Sequence, residues 1–203
     1  MSALPYLAYT EAEYLALDAD ATDQKFCFDD GNVFAMAGAT PTHVLISSNV
    51  ITALGLALRD GPCRVYGSDL RVRIGEGRAY FYPDVSVVCE GESLFDRMTL
   101  ENPVLIVEVL SDSTEALDRG RKFSRYQRIP SLVAYVLVSQ HYAFVELFER
   151  MDEGAWRLTS AEGVGSVLRI GALGIDLDLA EVYRKVTFEP PKPIGEPRVF
   201  YVL

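Results

Sequence analysis

The chain has 203 residues, enough to bury most of its apolar surface in one core, so a single domain is the expected organisation. It carries 29 acidic and 19 basic residues, and the resulting formal charge of -10 argues against general affinity for nucleic acid or anionic membranes. Any site for a polyanion must therefore be local.

The cysteines and the N-terminal residues give information about the cellular compartment of the protein. Cys27, Cys63 and Cys89 are odd in number, widely spaced and embedded in apolar sequence, which predicts reduced core residues and no disulfide framework. The first 20 residues are acidic where a signal peptide needs basic side chains, and no apolar run approaches the ~20 residues of a membrane span. These features predict a cytoplasmic protein that does not enter a membrane.

The first quarter of the chain predicts two helices and a hairpin. Residues 10–17 begin with a Thr-x-x-Glu capping pattern and predict a short helix. An Asp-Gly pair at the centre of residues 25–36 indicates a β-hairpin. Apolar residues then recur at intervals of three and four over residues 42–58, which predicts the first long helix.

The rest of the chain is rich in strand patterns. Three β-rich runs are followed by a helix that is predicted to start near Asp112 and to end before Pro130. The three runs cover residues 63–74, 79–89 and 103–111, and the later strand candidates are residues 132–139, 143–150, 156–160 and 167–170. This order predicts a mixed α/β domain.

One carboxylate interrupts a strand that is otherwise apolar. Residues 104–110 contain Glu108 as their single polar residue and show no alternation, so the strand should be central and covered on both faces. An ionised carboxylate in that place must be paired, protonated or bound to a metal. Pairing with an arginine is the simplest interpretation of Glu108 taken alone.

A second carboxylate, Asp84, follows Pro83 in the preceding strand run. Proline cannot donate to a sheet ladder, so a bulge or a sheet edge is expected here, and it would aim Asp84 sideways. Taken alone, Asp84 could simply cap a turn. Because consecutive strands are usually neighbours, the two carboxylates together predict a cation between them, and hard oxygen ligands suit Mg²⁺ or Mn²⁺.

A basic segment follows the Glu108 strand within an acidic protein. At 100° per residue, four of its basic residues fall on one side of a helix and Phe123 turns toward the core. These four are Arg121, Lys122, Arg125 and Arg128. A solvated basic face with an Asp118–Lys122 pair is one interpretation, and a phosphate-binding face near the Glu108 strand is the other.

Three motifs together resemble a known family. Tyr-Pro-Asp-Val at residues 82–85, Leu-Ile-Val-Glu-Val-Leu-Ser at 105–111 and Asp-Arg-Gly-Arg-Lys at 118–122 closely resemble the Uma-two-type restriction endonucleases, a branch of the PD-(D/E)XK nuclease superfamily. The resemblance covers roughly residues 10–185. It implies a restriction-endonuclease-like mixed β-sheet core flanked by helices, with additional antiparallel strands. We expect one nuclease-like domain over residues 1–187 and a proline-containing tail over residues 188–203.

The resemblance also implies roles for individual residues. Asp84 and Glu108 would bind the divalent metal together with the backbone carbonyl of Val109, and Lys122 would assist the attacking water. The superfamily usually has its lysine two residues after the glutamate, where this chain has Leu110. The family pattern supplies the lysine from the following helix instead.

Further residues are expected around this centre. Arg121 and Arg125 would bind flanking phosphates. His43 fits the family pattern at a helix start, although a helix-terminal histidine that bonds the backbone is an alternative, and Asp69 is expected near the site. Related sequences carry a glutamate where this chain has Cys27, a departure that bears on whether a second metal is held and whether activity survives.

The leading interpretation is therefore a Mg²⁺- or Mn²⁺-dependent endonuclease that hydrolyses phosphodiester bonds of nucleic acid, with DNA as the expected substrate. The alternative is a catalytically weak or inactive nuclease fold that binds nucleic acid or a protein, which the acidic charge and Cys27 favour. Residues 189–203 contain four prolines and end in an apolar run, which suggests a homodimer formed by strand addition.

Overall fold

The computed structural model describes residues 8–36, 38–89 and 91–188. Residues 189–203, on which the homodimer hypothesis depends, lie outside the described residues. Phe188, the last described residue, packs its ring 5.4 Å from that of Tyr183. The helices are α1 (Glu11–Asp20), α2 (Pro41–Leu58), α3 (Glu115–Leu117), α4 (Phe123–Tyr126) and α5 (Leu179–Val182), with a π-helical turn (Asp118–Lys122) between α3 and α4.

The strands form two six-stranded sheets and one two-stranded sheet. The first sheet contains, in spatial order, β2 (Asn32–Ala35), β1 (Phe26–Asp29), β5 (Ala79–Phe81), β4 (Arg71–Ile74), β8 (Thr99–Leu100) and β7 (Leu94–Asp96). The second contains β12 (Trp156–Glu162), β11 (Phe144–Arg150), β10 (Ala134–Ser139), β9 (Leu105–Leu110), β6 (Val85–Val88) and β3 (Arg64–Gly67). The third pairs β13 (Val167–Ile170) with β14 (Ile175–Asp178). The predicted mixed α/β fold is confirmed.

Local signals position the first elements. Thr10 and Glu13 form the predicted capping box at the start of α1. The β1–β2 hairpin turns through Asp30 and Gly31, whose φ angles of 44° and 86° match the turn type that Asp-Gly favours. A Cβ atom on Gly31 would also lie 2.6 Å from the Cβ of Ala8, so glycine is required there for space as well as for conformation.

The two predicted strands over residues 63–74 and 79–89 each divide between two sheets. β3 pairs with β6 in the second sheet, and β4 pairs with β5 in the first, both antiparallel. The chain therefore forms one long ribbon that bends at residues 68–70 and 82–84. Pro83 stands at this corner, where the ladder is interrupted and the missing N–H costs nothing. The sequence predicted a bulge or an edge here, and the structure has a change of sheet.

The Glu108 strand is central, as predicted. β9 runs parallel to β10, where Leu137 is the partner of Glu108, and antiparallel to β6, where Val85 is the partner of Val107. All six residues of β9 are buried. One face of this sheet packs on α2 through Val50 and Leu54, and the other packs on the first sheet and α4.

Helix α2 begins and ends where the sequence predicts. Thr40 caps it by accepting a hydrogen bond from the backbone N–H of His43 at 3.1 Å, and Pro41 occupies its first turn. By length and composition alone this helix could cross a membrane, contrary to the expectation that no segment approaches a span. Core helices of soluble proteins pass the same test, and the stripe Ile46, Val50 and Leu54 is buried against the second sheet.

The cysteine prediction was wrong for two of the three residues. Cys63 and Cys89 form a disulfide, and their Cα atoms are 4.0 Å apart. They flank the paired strands β3 and β6, whose register makes Arg64 the partner of Val88, so the next pair along the ribbon brings the cysteines together. Cys27 is a free thiol. The cytoplasmic location, which rested partly on reduced cysteines, stays a prediction.

Candidate active site

An open cleft of about 1340 Å³ lies beside the corner of the bent ribbon. The β1–β2 hairpin, the start of α2, the end of β9 and the π-helical turn all contribute to its wall. Eight of the residues that the sequence singled out line it: Cys27, His43, Asp69, Asp84, Glu108, Val109, Arg121 and Lys122. The tertiary structure thus brings the predicted residues from six separate segments into one cavity.

Asp84 joins α2 to the central strand. Its Oδ1 lies 2.8 Å from Nε2 of His43, and its Oδ2 accepts a hydrogen bond from the backbone N–H of Val109 at 2.7 Å. Asp84 lies at the corner just before β6, where the backbone pairing of β6 with β9 has ended. Its side chain therefore accepts the hydrogen bond from β9 that a backbone carbonyl of β6 would otherwise accept. It therefore lies beside Glu108, as the two-carboxylate hypothesis requires.

Glu108 is 3 % exposed, and both a cation and a hydrogen-bond donor contact its carboxylate. Its Oε1 accepts a hydrogen bond from the hydroxyl of Tyr126 at 2.9 Å and lies 3.0 Å from Nζ of Lys122. Burial raises the pKa of Glu108, the charge of Lys122 opposes that rise, and the charges of Asp118 and Asp84 reinforce it. The net result is a carboxyl group whose pKa lies well above its ordinary value. Its cationic partner is Lys122 and not an arginine, the partner suggested by Glu108 taken alone.

Lys122 completes a buried ion triad. Its Nζ lies 2.7 Å from Oδ1 of Asp118 as well as 3.0 Å from Glu108. Burial would lower the pKa of Lys122, but the charges of Glu108 and Asp118 outweigh it and raise that pKa. The side chain is therefore a permanent cation on the cleft wall.

Of the two interpretations of the basic segment, the solvated basic face does not hold for Lys122, whereas the position near the Glu108 strand does. Lys122 is 7 % exposed and points into the protein. Lys122 lies in the π-helical turn, where its ammonium group pairs with Glu108 and Asp118. π-helical turns frequently occur at functional sites.

Arg121 and Arg125 are both paired with the β1–β2 hairpin. Nε of Arg121 pairs with Oδ2 of Asp29, and Nη2 of Arg125 lies 2.6 Å from Oδ1 of the same carboxylate and also contacts Asp30. Arg121 is about half-exposed and lines the cleft. Arg125 is largely buried and is not among the residues that line the described cleft. The structure thus brings only one of the two predicted phosphate ligands to the cavity.

The three additional candidates occupy different places. The ring of His43 contacts the carboxylate of Asp84, as expected of a residue near the site and not of a side chain that bonds the backbone, while its backbone N–H serves the helix cap. Asp69 lies at the exposed rim and pairs with Lys25. Cys27 lines the cleft, and burial raises the pKa of its thiol despite the nearby charge of Lys122. A neutral thiol there supplies no hard oxygen ligand.

Two residues of the site were missed. Asp118 was considered only as part of a surface pair, and no role in the site was predicted for Tyr126. Tyr126 does pack in the core, but its hydroxyl also donates to Glu108. The spacing was an available signal, because Asp118, Lys122 and Tyr126 recur every four residues along one helix.

The donor set is chemically suited to a hard divalent cation. Asp84, Glu108 and the carbonyl of Val109 supply oxygen atoms, which Mg²⁺ and Mn²⁺ prefer. Among the residues that the structure describes, no three His, Cys, Asp or Glu side chains are placed to hold a metal ion by themselves. A bound cation would therefore complete its coordination with water and substrate oxygens, as Mg²⁺ usually does.

Known proteins share the fold and the sequence family of this chain. A crystal structure from Anabaena variabilis, described as "a putative nuclease belonging to DUF820", shares the fold with a TM-score of 0.70 at 13 % identity, over 86 % of this chain and 97 % of the other. Two uncharacterized proteins of Synechocystis, slr1290 and sll1609, are 33 % and 35 % identical over 184 and 168 residues. These alignments cover 91 % and 82 % of this chain and 96 % and 94 % of the relatives. Residues 11–180 match the Uma2 family, described as "Putative restriction endonuclease", and the chain belongs to that family.

Proposed function

We propose that the protein is a divalent-metal-dependent endonuclease that hydrolyses phosphodiester bonds of nucleic acid, with DNA as its substrate. Family membership and fold support a nuclease in general. The observation that carries the specific proposal is the convergence of Asp84 and Glu108 in one cleft, with the ammonium group of Lys122 3.0 Å from Glu108.

The metal site would consist of Asp84, Glu108 and the carbonyl of Val109. Mg²⁺ or Mn²⁺ bound there would supply Lewis-acid activation of water and neutralisation of phosphate charge. His43 and the N–H of Val109 each hold one oxygen of Asp84, so this carboxylate is fixed before any ligand arrives. Tyr126 restrains Glu108 in the same way.

Lys122 has a separate task on this proposal. Asp118 and Glu108 keep it protonated and hold it in one position at the wall of the cleft. A fixed positive charge in a partly water-excluded site stabilises negative charge that develops on a phosphate during hydrolysis. Arg121 pairs with Asp29 through Nε, and because it lines the same cleft and is about half-exposed, its remaining N–H groups could bind a flanking phosphate.

A second candidate function is a catalytically weak or inactive nuclease fold that binds nucleic acid or a protein. The specific observation in its favour is Cys27, a neutral thiol at the position where the family pattern has a glutamate. In addition, Lys122 already neutralises part of the charge of Glu108 without any metal.

The deciding experiment is cleavage of plasmid DNA and of single-stranded DNA with Mn²⁺. Wild-type protein is compared with Asp84→Ala, Glu108→Ala and Lys122→Ala, and folding of each variant is checked by its melting temperature. Metal-dependent cleavage that each substitution abolishes is the expected result. Equal activity in all four proteins would contradict the assignment, and binding without cleavage would favour the second candidate.

A further inference from the structure

We infer that the cleft takes a single-stranded segment of nucleic acid, with one unstacked base lying on the ring of Phe34. This inference rests on the proposed nuclease function and adds the class of substrate. It is carried by the position and exposure of Phe34 and by the charge balance of the cleft.

Phe34 stands on the wall of the cleft next to the catalytic centre. It lies on β2, the edge strand of the first sheet, directly opposite Cys27 in the antiparallel register. Directly opposite residues project from the same face of a hairpin, and both side chains line the cavity with Lys122 and Glu108. The ring therefore lies about one strand spacing, ~5 Å, farther out than Cys27.

The ring is accessible and is not used to build the core. Phe34 is 44 % exposed, and it belongs to none of the hydrophobic clusters formed by the described residues. The guanidinium of Arg121 lies 5.8 Å from the ring centroid. An aromatic face with an adjacent arginine is the arrangement that holds an unpaired base by stacking and its phosphate by charge.

The charge balance of the cleft favours a single strand over a duplex. Seven acidic residues and only three basic residues line it, and each of the three basic side chains is already paired with a carboxylate. A duplex presents one phosphate per ~1.7 Å of its axis and is normally held by many lysines and arginines. Stacking on an aromatic ring contributes affinity without needing cations, so it suits this cleft better.

The cleft also has apolar lining beyond Phe34. Met36 and Met98 line it, and Met98 is about half-exposed. Flexible thioether side chains adapt to flat aromatic groups of different shape. Such a surface accepts a base by contact and does not read its hydrogen-bonding edge, so little sequence preference is expected.

The test compares Phe34→Ala with a matched control, Phe95→Ala. Phe95 is 45 % exposed and has the guanidinium of Arg73 4.3 Å from its ring, but it does not line the described cleft. Cleavage with Mn²⁺ is measured on a labelled single-stranded DNA oligonucleotide and on the same oligonucleotide in a duplex. Binding of the single strand is measured by fluorescence anisotropy in EDTA, where no metal-dependent cleavage occurs.

For Phe34→Ala we expect KM and Kd for the single strand to rise about 5- to 150-fold, the range that corresponds to one stacked base. The value of kcat should change little, because Phe34 contacts no reacting group. Phe34→Trp should restore wild-type values, since it keeps a stacking face, and Phe95→Ala should behave as wild type.

Three results would overturn the inference: unchanged single-strand KM and Kd in Phe34→Ala, an equal loss in Phe95→Ala, or a wild-type preference for the duplex. Loss of cleavage in Glu108→Ala would uphold the nuclease proposal in any of these cases. If wild type shows no Glu108-dependent cleavage, the nuclease proposal fails, and the anisotropy measurement alone then decides whether Phe34 binds a single strand.

Discussion

Two buried glutamates of the same sheet are in opposite electrostatic states. Glu108 on β9 and Glu149 on β11 are 3 % and 4 % exposed. Burial raises the pKa of Glu108, and the charges of Asp118 and Asp84 add to that effect. For Glu149, burial also acts to raise the pKa, but hydrogen bonds from Arg157 and the backbone N–H of Ala172 outweigh it, so its pKa is lowered.

The two pKa values shift in opposite directions because the two carboxylates have different charged neighbours. Glu149 stands opposite Arg157 in the β11–β12 register, and it accepts hydrogen bonds at 2.6 Å from Arg157 and at 3.0 Å from Ala172. Glu108 must share its lysine with Asp118 and has a second carboxylate beside it. A satisfied carboxylate is part of the structure, whereas one surrounded by excess negative charge can gain from a cation.

The largest expected effect separates the two residues by activity. Glu108→Gln, which keeps the shape and an acceptor for Tyr126, should lower Mn²⁺-dependent cleavage at least about 100-fold, a loss of the size found when one group that stabilises the transition state is removed. Glu149→Gln should cleave at the wild-type rate because it lies away from the cleft. The cleavage rates of both variants are measured on single-stranded DNA. An equal loss of rate in Glu108→Gln and Glu149→Gln would contradict the difference in role between the two glutamates.

The next effect concerns stability. Lys122→Met should lower the free energy of unfolding at pH 7 by about 3 kcal/mol, because it leaves Glu108 and Asp118 buried without a cation. Arg157→Met should cost about 1 kcal/mol or less, since its guanidinium is about half-exposed and Glu149 keeps the N–H of Ala172. Urea unfolding measures both values, and a larger cost for Arg157→Met would reverse the comparison.

A third effect concerns metal binding without catalysis. Mn²⁺ at 100 times its Kd should stabilise the wild-type protein by about 2.7 kcal/mol and raise its melting temperature by several degrees. Glu149→Gln should show the same shift, while Glu108→Gln and Asp84→Asn should show little. If neither Mn²⁺ nor Mg²⁺ changes the melting temperature of the wild-type protein, the result would count against the metal site.

The smallest effect concerns pH and Glu149. Because its folded-state pKa is lowered, Glu149 contributes stability that is present above the ordinary glutamate range, near pH 4.3, and is lost as the pH falls through that range and below it. Glu149→Gln should therefore lose less stability than wild type between pH 5 and pH 3. Urea midpoints across that range measure the difference, and parallel curves would show that Glu149 is not involved.

Several elements could be predicted because their causes are local. The capping box at Thr10, the Asp30-Gly31 turn and the apolar run of β9 each depend on a few consecutive residues. The family motifs also predicted that Asp84, Glu108 and Lys122 lie in one cleft, and the structure places all three there. Their roles in catalysis and metal binding stay predictions.

Other features could not be predicted because they depend on distant contacts. The corner that divides two strand runs between two sheets decides where Asp84 points, and the register of the same ribbon joins Cys63 to Cys89. Lys122 lies in the interior, where it pairs with Glu108 and Asp118. Arg125 pairs with Asp29 and Asp30 and is not among the residues that line the described cleft.

The sequence by itself determined which residue types stand on which elements, since helix caps, tight turns and buried strands follow from neighbouring side chains. It identified Glu108 as a buried carboxylate in need of a partner. Only the tertiary structure decided that Lys122, Asp118 and Asp84 surround it, while Glu149 is fully satisfied by Arg157 and Ala172. The physical reason is that desolvation and charge act through space, so a carboxylate's pKa depends on residues far away along the chain.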